Sequence, residues 1–297
     1  AKYAGRRPVF IALEGAFHGR TDRPAHLSDS SYGTYKKLLA SYRSADGLVT
    51  VPPNDVAALE KAFDEVMADG RLVELLAIEP VQGEGNPGVA CTREFYDVAR
   101  RLTLEHDSML LMDSIQSGFR ATGHLSMVDY PGFEDCDPPD LETYSKALNA
   151  GQYPLSVLAL GPRAAAAFRA GSYGNTMTTN PRALEVAIRV LEAMKEGMQR
   201  NVRAQGEHLL RRLDELKARH PALVMHNQGT GLLLASVIRG DVAVVGGDGL
   251  EQQCRRLGLG VIHGGENALR FTPHFGITDP EIDLMIDVLD EVLAATA

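Results

Sequence analysis

Cysteine is scarce in this sequence: Cys91, Cys136 and Cys254 are odd in number and far apart. They form neither a disulfide framework nor a zinc-ligand spacing, a pattern that fits a reducing cytoplasm. Positive charge is also in short supply. With 30 Lys and Arg against 39 Asp and Glu, a formal net charge of −9 and a pI near 5.5, the chain lacks the clustered basic surface that phosphate neutralisation needs, which argues against nucleic acid as a partner. No apolar run reaches the ~18 residues that a membrane helix requires. The N-terminal stretch, with Lys2, Arg6 and Arg7 followed only by Val9 to Leu13, has no signal-peptide core. The nine histidines include no HExxH, and His18 and His263 stand outside ligand spacing, so no metal centre is expected. The glycine-rich run 244–249 is followed by no Lys-Ser/Thr and reads as a turn rather than a phosphate loop, and GxSxG is absent.

What is present is a chain of 297 residues, 44% hydrophobic and 23% charged, long enough for about two domains. Strand and helix signals alternate through its first half. Asn54 or Asp55 can cap a helix with Val56, Leu59, Phe63 and Val66 or Met67 inward, ended by Gly70. The run Leu72 to Glu79 then reads as a buried strand. Thr92 opens a second helix with Phe95, Val98 or Ala99, and Leu102 on its apolar face, followed by strands ending at Asp113 and just before Lys146. Glu79, Asp113 and Lys146 are 34 and 33 residues apart, close to the ~30 residues or more of one βαβ unit. This spacing predicts a mostly parallel α/β sheet with all three polar residues at the carboxyl ends of the strands, where such sheets bind ligands. Asn180 and Pro181 start a helix with Leu184, Ala187, Ile188, Leu191 and Met194 on one face, and a second long helix covers about Asn201 to Arg219. Short strands in GLLLASVI, VIH and ALRFT, and a last helix opened by a Thr278–Glu281 capping box, complete a smaller C-terminal α+β domain. The expected division is 1–197 for a large domain, 198–220 for a connecting helix and 221–297 for a small domain.

A lysine placed where a strand enters the core calls for a partner or a chemical task, because burying its charge costs several kcal/mol. For a lone lysine, a surface position at a strand end is the better expectation. A carboxylate such as Asp113, ionised beside a heterocyclic nitrogen, would hold a proton there and make the ring an electron sink. A lysine with a lowered pKa could bond an aldehyde as a Schiff base. Together they suggest pyridoxal phosphate, although a buried Asp–Lys ion pair would look the same in sequence.

The surrounding motifs are more specific. G15-A-F-H-G-R-T21, E79-P-V-Q-G-E-G85, M112-D-S-I-Q-S-G118 and T143-Y-S-K-A147, followed by T176-M-T-T-N-P181 and L269-R-F-T-P273, occur in an order and spacing that resembles the class III aminotransferases, fold type I pyridoxal phosphate enzymes. Ornithine, acetylornithine, lysine and 4-aminobutyrate aminotransferases belong to that family. The resemblance covers nearly the whole chain. It implies the fold type I architecture, pyridoxal 5′-phosphate as cofactor, a homodimer, and transfer of an amino group from an ω-amino or α-amino donor to 2-oxoglutarate.

It also implies roles for individual residues. Lys146 resembles the lysine that carries the cofactor as a Schiff base and later moves the substrate proton. Asp113 resembles the partner of the ring nitrogen, Gln116 the donor to the cofactor's phenolic oxygen, and Phe17 the aromatic that stacks on the ring, with His18 beside it. Thr176 is similar to the threonine that reaches the neighbouring subunit's phosphate. Arg270 resembles the carboxylate-binding arginine, Glu84 the acid that closes over it in ω-amino acid enzymes, and Arg20 the arginine for the other carboxylate. Glu79 is placed behind the site, orienting the Asp113 and Gln116 side.

The chain departs from the family pattern in several places. The usual Asp-Glu-Val/Ile-Gln reads Asp113-Ser114-Ile115-Gln116, so the family's glutamate is absent. The run 118–123 and Asn149-Ala150-Gly151-Gln152 differ from the GxGRTG and GGG forms. The chain begins with Ala1 and is expected to start in mid-protein, after the family's phosphate-binding turn, which lies just upstream of a segment like residues 1–5. Two alternatives stay open: a racemase, aminomutase or decarboxylase on the same fold, and a non-catalytic subunit motivated by Ser114 and the missing turn.

Overall fold

The computed structural model describes residues 3–42, 47–171, 174, 176 and 178–296; Ala1, Lys2 and Met177 of the segments above lie outside the described residues. The described chain forms two compact units. The first comprises residues 1–80, 91–118 and 125–192, and the second 81–90, 119–124 and 193–297.

The first unit follows the chain order β1 (Pro8–Leu13), α1 (Asp22–His26), α2 (Asp29–Leu38), β2 (Leu48–Val51), α3 (Val56–Ala68), β3 (Leu72–Ile78), α4 (Arg93–Glu105), β4 (Met109–Asp113), β5 (Leu141–Tyr144), β6 (Val157–Leu160), α5 (Pro162–Ala167) and α6 (Pro181–Ala193). Its six strands lie in the order β2-β1-β3-β4-β5-β6, parallel throughout except for β6. The Asp55 carboxylate caps α3 by accepting from the Ala58 amide at 2.9 Å. Thr92 caps α4 through the Phe95 amide at 3.2 Å, each cap stabilising its helix by about 1 kcal/mol. The inward faces are Leu59, Phe63 and Val66 on α3, and Phe95, Tyr96, Ala99 and Leu102 on α4. The register places Met112 beside Ile78 and Asp113 beside Thr143.

That β4–β5 register is clamped at its start by a buried ion cluster. Asp140, 2% exposed, accepts from the Leu110 amide at 2.9 Å, from Arg100 Nη1 at 2.9 Å and from Arg163 Nη1 at 2.9 Å. Its own amide donates to the Leu110 carbonyl at 3.0 Å. A carboxylate removed from water in this way is kept ionised only by such donors.

One expectation fails on α6. Ala183, Ala187 and Met194 are buried, but Leu184, Ile188 and Leu191 are 40%, 47% and 49% exposed, and all four residues of β6 are exposed. The periodicity reports an apolar stripe, yet among the described residues nothing covers its outer half.

The second unit contains α7 (Glu196–Arg219), β7 (Val224–Thr230), β8 (Leu233–Ile238), α8 (Leu250–Arg256), β9 (Ile262–Gly264), β10 (Ala268–Phe271) and α9 (Asp279–Thr296). Its antiparallel sheet has the order β7-β8-β10-β9. Glu281 accepts from the Thr278 amide at 2.8 Å and opens α9. The observed units differ from a contiguous division at 197 and 221. The long helix α7 falls in the second unit, with Val202, Leu209, Leu213 and Leu216 buried. Residues 119–124 join the same unit because Gly231, at φ +56, leaves no room for a side chain against the Ala121 carbonyl, and the Leu232 amide donates to Arg120 O at 2.9 Å.

The clamp predicts unequal costs for two carboxylates. Asp140→Ala removes the buried carboxylate that Arg100, Arg163 and the Leu110 amide share, leaving Arg100 with Asp137 and Arg163 with the Ser108 carbonyl, and is expected to lower unfolding stability by about 1–3 kcal/mol. Asp135→Ala, which breaks the exposed pair with Arg93, is expected to leave the unfolding midpoint nearly unchanged, since solvent screens such a pair. Urea unfolding of both variants checks this; equal midpoints would contradict the clamp.

Candidate active site

In the first unit, adjacent strands β3, β4 and β5 bring Glu79, Asp113 and Lys146 to the same sheet end. Asp113 is 4% exposed. Its Oδ1 accepts from Thr143 Oγ1 at 3.0 Å and from the Ile115 amide at 3.2 Å, and its Oδ2 lies 2.8 Å from His18 Nδ1. The turn after β1 carries Phe17 and His18 and is tied from two sides. Glu79 Oε1 accepts the Phe17 amide at 3.0 Å, while Ser28 Oγ accepts the His18 and Gly19 amides at 2.9 and 3.1 Å. Burial alone would lower the pKa of His18, but the hydrogen bond and charge of Asp113, with the charge of Glu79, outweigh it and hold the imidazole above its ordinary value.

Lys146 opens a short 3-10 turn at φ +31, a backbone region that side-chain-bearing residues seldom adopt, and it is exposed. The preceding Ser145 anchors this turn by donating to the Leu155 carbonyl at 2.6 Å. Gln116 is half-buried in the turn that leaves β4. The Arg20 guanidinium is exposed and lies 5.1 Å from the centroid of the Phe17 ring. Thr176 is exposed in the turn before α6.

The donor set fits a pyridine aldehyde. A buried carboxylate suits a ring nitrogen, an aromatic suits a ring face, an exposed amine suits an aldehyde carbon, and His18 Nε2 is a buried nitrogen with no protein partner.

In the second unit, β10 carries Arg270, whose side chain is 11% exposed and whose Nη1 lies 2.8 Å from Glu84 Oε2. The same nitrogen donates to the Gly83 carbonyl. The loop bearing Glu84 is strapped down by the Gly265 amide on the Glu84 carbonyl at 2.7 Å and by Gln228 Nε2 on the Pro87 carbonyl at 2.8 Å. Arg120 donates to the Pro273 carbonyl at 2.6 Å. Burial, and then the positive charge of Arg270, lowers the pKa of Arg120 to about 10. A guanidinium neutralised by a partly exposed glutamate can exchange that partner for another carboxylate.

The structure therefore joins His18 to Asp113, and Glu84 to Arg270. Glu79 holds the backbone of Phe17, and its charge acts on His18, the partner of Asp113. Thr143, Ser28 and Arg120 are additional supports. Thr143 stands opposite Asp113 in the strand pairing, a relation visible only once the register is fixed.

A family model for class-III aminotransferases matches residues 1–293. The acetylornithine aminotransferase of Neisseria meningitidis serogroup A is 31% identical over 100% of this chain and 70% of its own length. That of Thermosynechococcus vestitus is 29% identical over 98% of this chain and 68% of its own. The crystal structure of N-acetylornithine aminotransferase from Stenotrophomonas maltophilia K279a superposes with a TM-score of 0.74 at 26% identity, covering 99% of this chain and 68% of that one. The chain thus spans about two thirds of the length of these relatives.

The His18–Asp113 pair has a pH signature. A folded-state pKa raised above 6.5 means that the pair's stabilisation is fully present below about pH 6.5 and is lost as pH rises through the folded value. In the ligand-free protein the His18 ring resonances are expected to titrate above 6.5, and the stability difference from His18→Gln should shrink over the same rise in pH. Titration below 6.5 would contradict the pairing.

Proposed function

Because the chain belongs to the class-III aminotransferases, pyridoxal 5′-phosphate-dependent enzymes, we propose that it moves the terminal amino group of a carboxylated ω-amino acid to 2-oxoglutarate. Acetylornithine, the substrate in its relatives' names, heads the list of donors. The observation that carries this reading is the Arg270–Glu84 pair at 2.8 Å. With Glu84 in place, Arg270 is neutralised and presents no free cation to an ω-amino donor. With Glu84 swung away, the planar guanidinium offers a two-pronged seat to the carboxylate of the keto acid.

Pyridoxal phosphate, when bound, supplies the electron sink that lets a carbon-bound hydrogen next to nitrogen leave as a proton. In this reading Lys146 binds the cofactor through its ε-nitrogen and serves as the base that moves the substrate proton. Asp113, oriented by His18 and Thr143, holds a proton at the ring nitrogen. Gln116 bonds the phenolic oxygen, Phe17 stacks on the ring, and Arg20 takes a second carboxylate. The assembly proposed is a homodimer in which Thr176 lends a hydroxyl to the partner's phosphate; the uncovered Leu184, Ile188 and Leu191 stripe of α6, in the helix that follows Thr176 in the chain, supports an intermolecular contact there.

Glutamate formation from 2-oxoglutarate with acetylornithine, ornithine, 4-aminobutyrate and an α-amino acid tests the reading directly. Transfer from ω-amino donors is expected, and racemisation or decarboxylation without transfer would overturn it. Arg270→Lys is expected to weaken keto-acid binding by about 1.5–3 kcal/mol, the loss of a charge-assisted fork, with the cofactor's absorbance nearly unchanged. An unaltered KM for 2-oxoglutarate would remove Arg270 from the role.

A further inference from the structure

Position 114 lacks the glutamate of the Asp-Glu-Val/Ile-Gln pattern, yet a carboxylate stands beside it. Glu142 lies on β5 and is 5% exposed. Its Oε1 accepts from Ser114 Oγ at 2.5 Å and from the Met127 amide at 3.0 Å; its Oε2 accepts from Ser126 Oγ at 2.7 Å. Three donors on one buried carboxylate make a satisfied polar cluster rather than a stray charge.

Strand alternation places this cluster. Asp113 and Thr143 are paired across β4 and β5 and bond on one face of the sheet. Ser114 and Glu142, each one residue away, bond on the other. The two contacts therefore grip the end of β4 from opposite faces, where the chain turns off toward Gln116. Exchanging the side chains at 114 and 142 would leave a carboxylate and a hydroxyl in the same small volume, with the carboxylate rooted on the other strand.

We propose that Glu142 is a positioning residue for the Asp113–Gln116 segment, and that it supplies from the neighbouring strand the carboxylate that the family pattern carries at position 114. Glu142 clamps Ser114 to the 126–127 segment and so fixes the direction in which Asp113 leaves the strand. Ser114 is then no sign of a degraded site, because the acid has moved across the strand pair. What Glu142 positions rests on the aminotransferase reading above; the exchange itself does not.

The test compares wild type, Glu142→Ser, Ser114→Glu and the exchanged double variant by ligand-free thermal unfolding and by titration with pyridoxal 5′-phosphate. Glu142→Ser leaves buried donors unsatisfied, and Ser114→Glu crowds two carboxylates. Each is expected to lower the unfolding midpoint and to weaken cofactor binding about tenfold, the equivalent of one lost charge-assisted hydrogen bond. The exchanged variant should recover both to within about threefold of wild-type affinity. Additive midpoints in the double variant would overturn the exchange, whether or not the protein binds the cofactor. Coupled midpoints with one unchanged affinity in all four proteins would overturn the positioning role. Coupled midpoints in a wild-type protein that binds no pyridoxal phosphate would support the exchange while overturning the functional reading.

Discussion

The pairing of β4 with β5 is the constraint on which the first unit's site depends. Its register is set at one end by Asp140, which gathers Leu110, Arg100 and Arg163 on a single buried carboxylate. At the other end that register puts Thr143 beside Asp113. A slip of one residue would send Thr143 to the opposite face and withdraw its hydroxyl from Asp113. The strand that carries Asp113 and the strand that delivers Lys146 are thus one mechanical element. Its ionic clamp lies at the strand starts, far from the end at which ligands bind in such sheets.

The second unit solves a different problem with the same physics. In the proposed reading Arg270 must be held without being consumed. A strapped loop gives it one carboxylate and one carbonyl as partners, and the Glu84 side chain keeps a third of its surface in solvent, so the partner can be exchanged. Arg120, whose pKa burial and the Arg270 charge lower to about 10, ties Pro273 just beyond β10. Its carbonyl contacts hold the backbone beyond Arg270 in place without competing for Glu84.

Much of this arrangement was legible in the sequence because strand ends, caps and motifs are local. Asp55, Thr92 and Asn180 mark helix starts through short-range hydrogen bonds, and the spacing of Glu79 and Asp113 follows from the length of a βαβ unit; the crossover from β4 to β5 carries no α-helix among the described residues, only a short 3-10 turn at Met127–Asp129, so the matching distance from Asp113 to Lys146 has another origin. What was not legible depends on the third dimension. β7, with His226, Asn227, Gln228 and Gly229, is a polar edge strand and carries no alternating apolar signal. The loop 81–90 and the turn 119–124 join the second unit through contacts more than a hundred residues away in sequence. The outer face of α6 has the periodicity of a buried helix and is exposed, because periodicity reports an apolar stripe and not what covers it. Ser114 read alone signals a loss, and its bond to the buried Glu142 on the neighbouring strand becomes visible only in the fold.

In the proposed reading the end of the β4–β5 pair holds pyridoxal phosphate, with Lys146 as its covalent anchor. Borohydride reduction of the cofactor-loaded protein followed by peptide mapping measures this directly. A pyridoxyl group is expected on Lys146 and on no other lysine. A label on a different lysine, or no label in protein that transaminates, would contradict it.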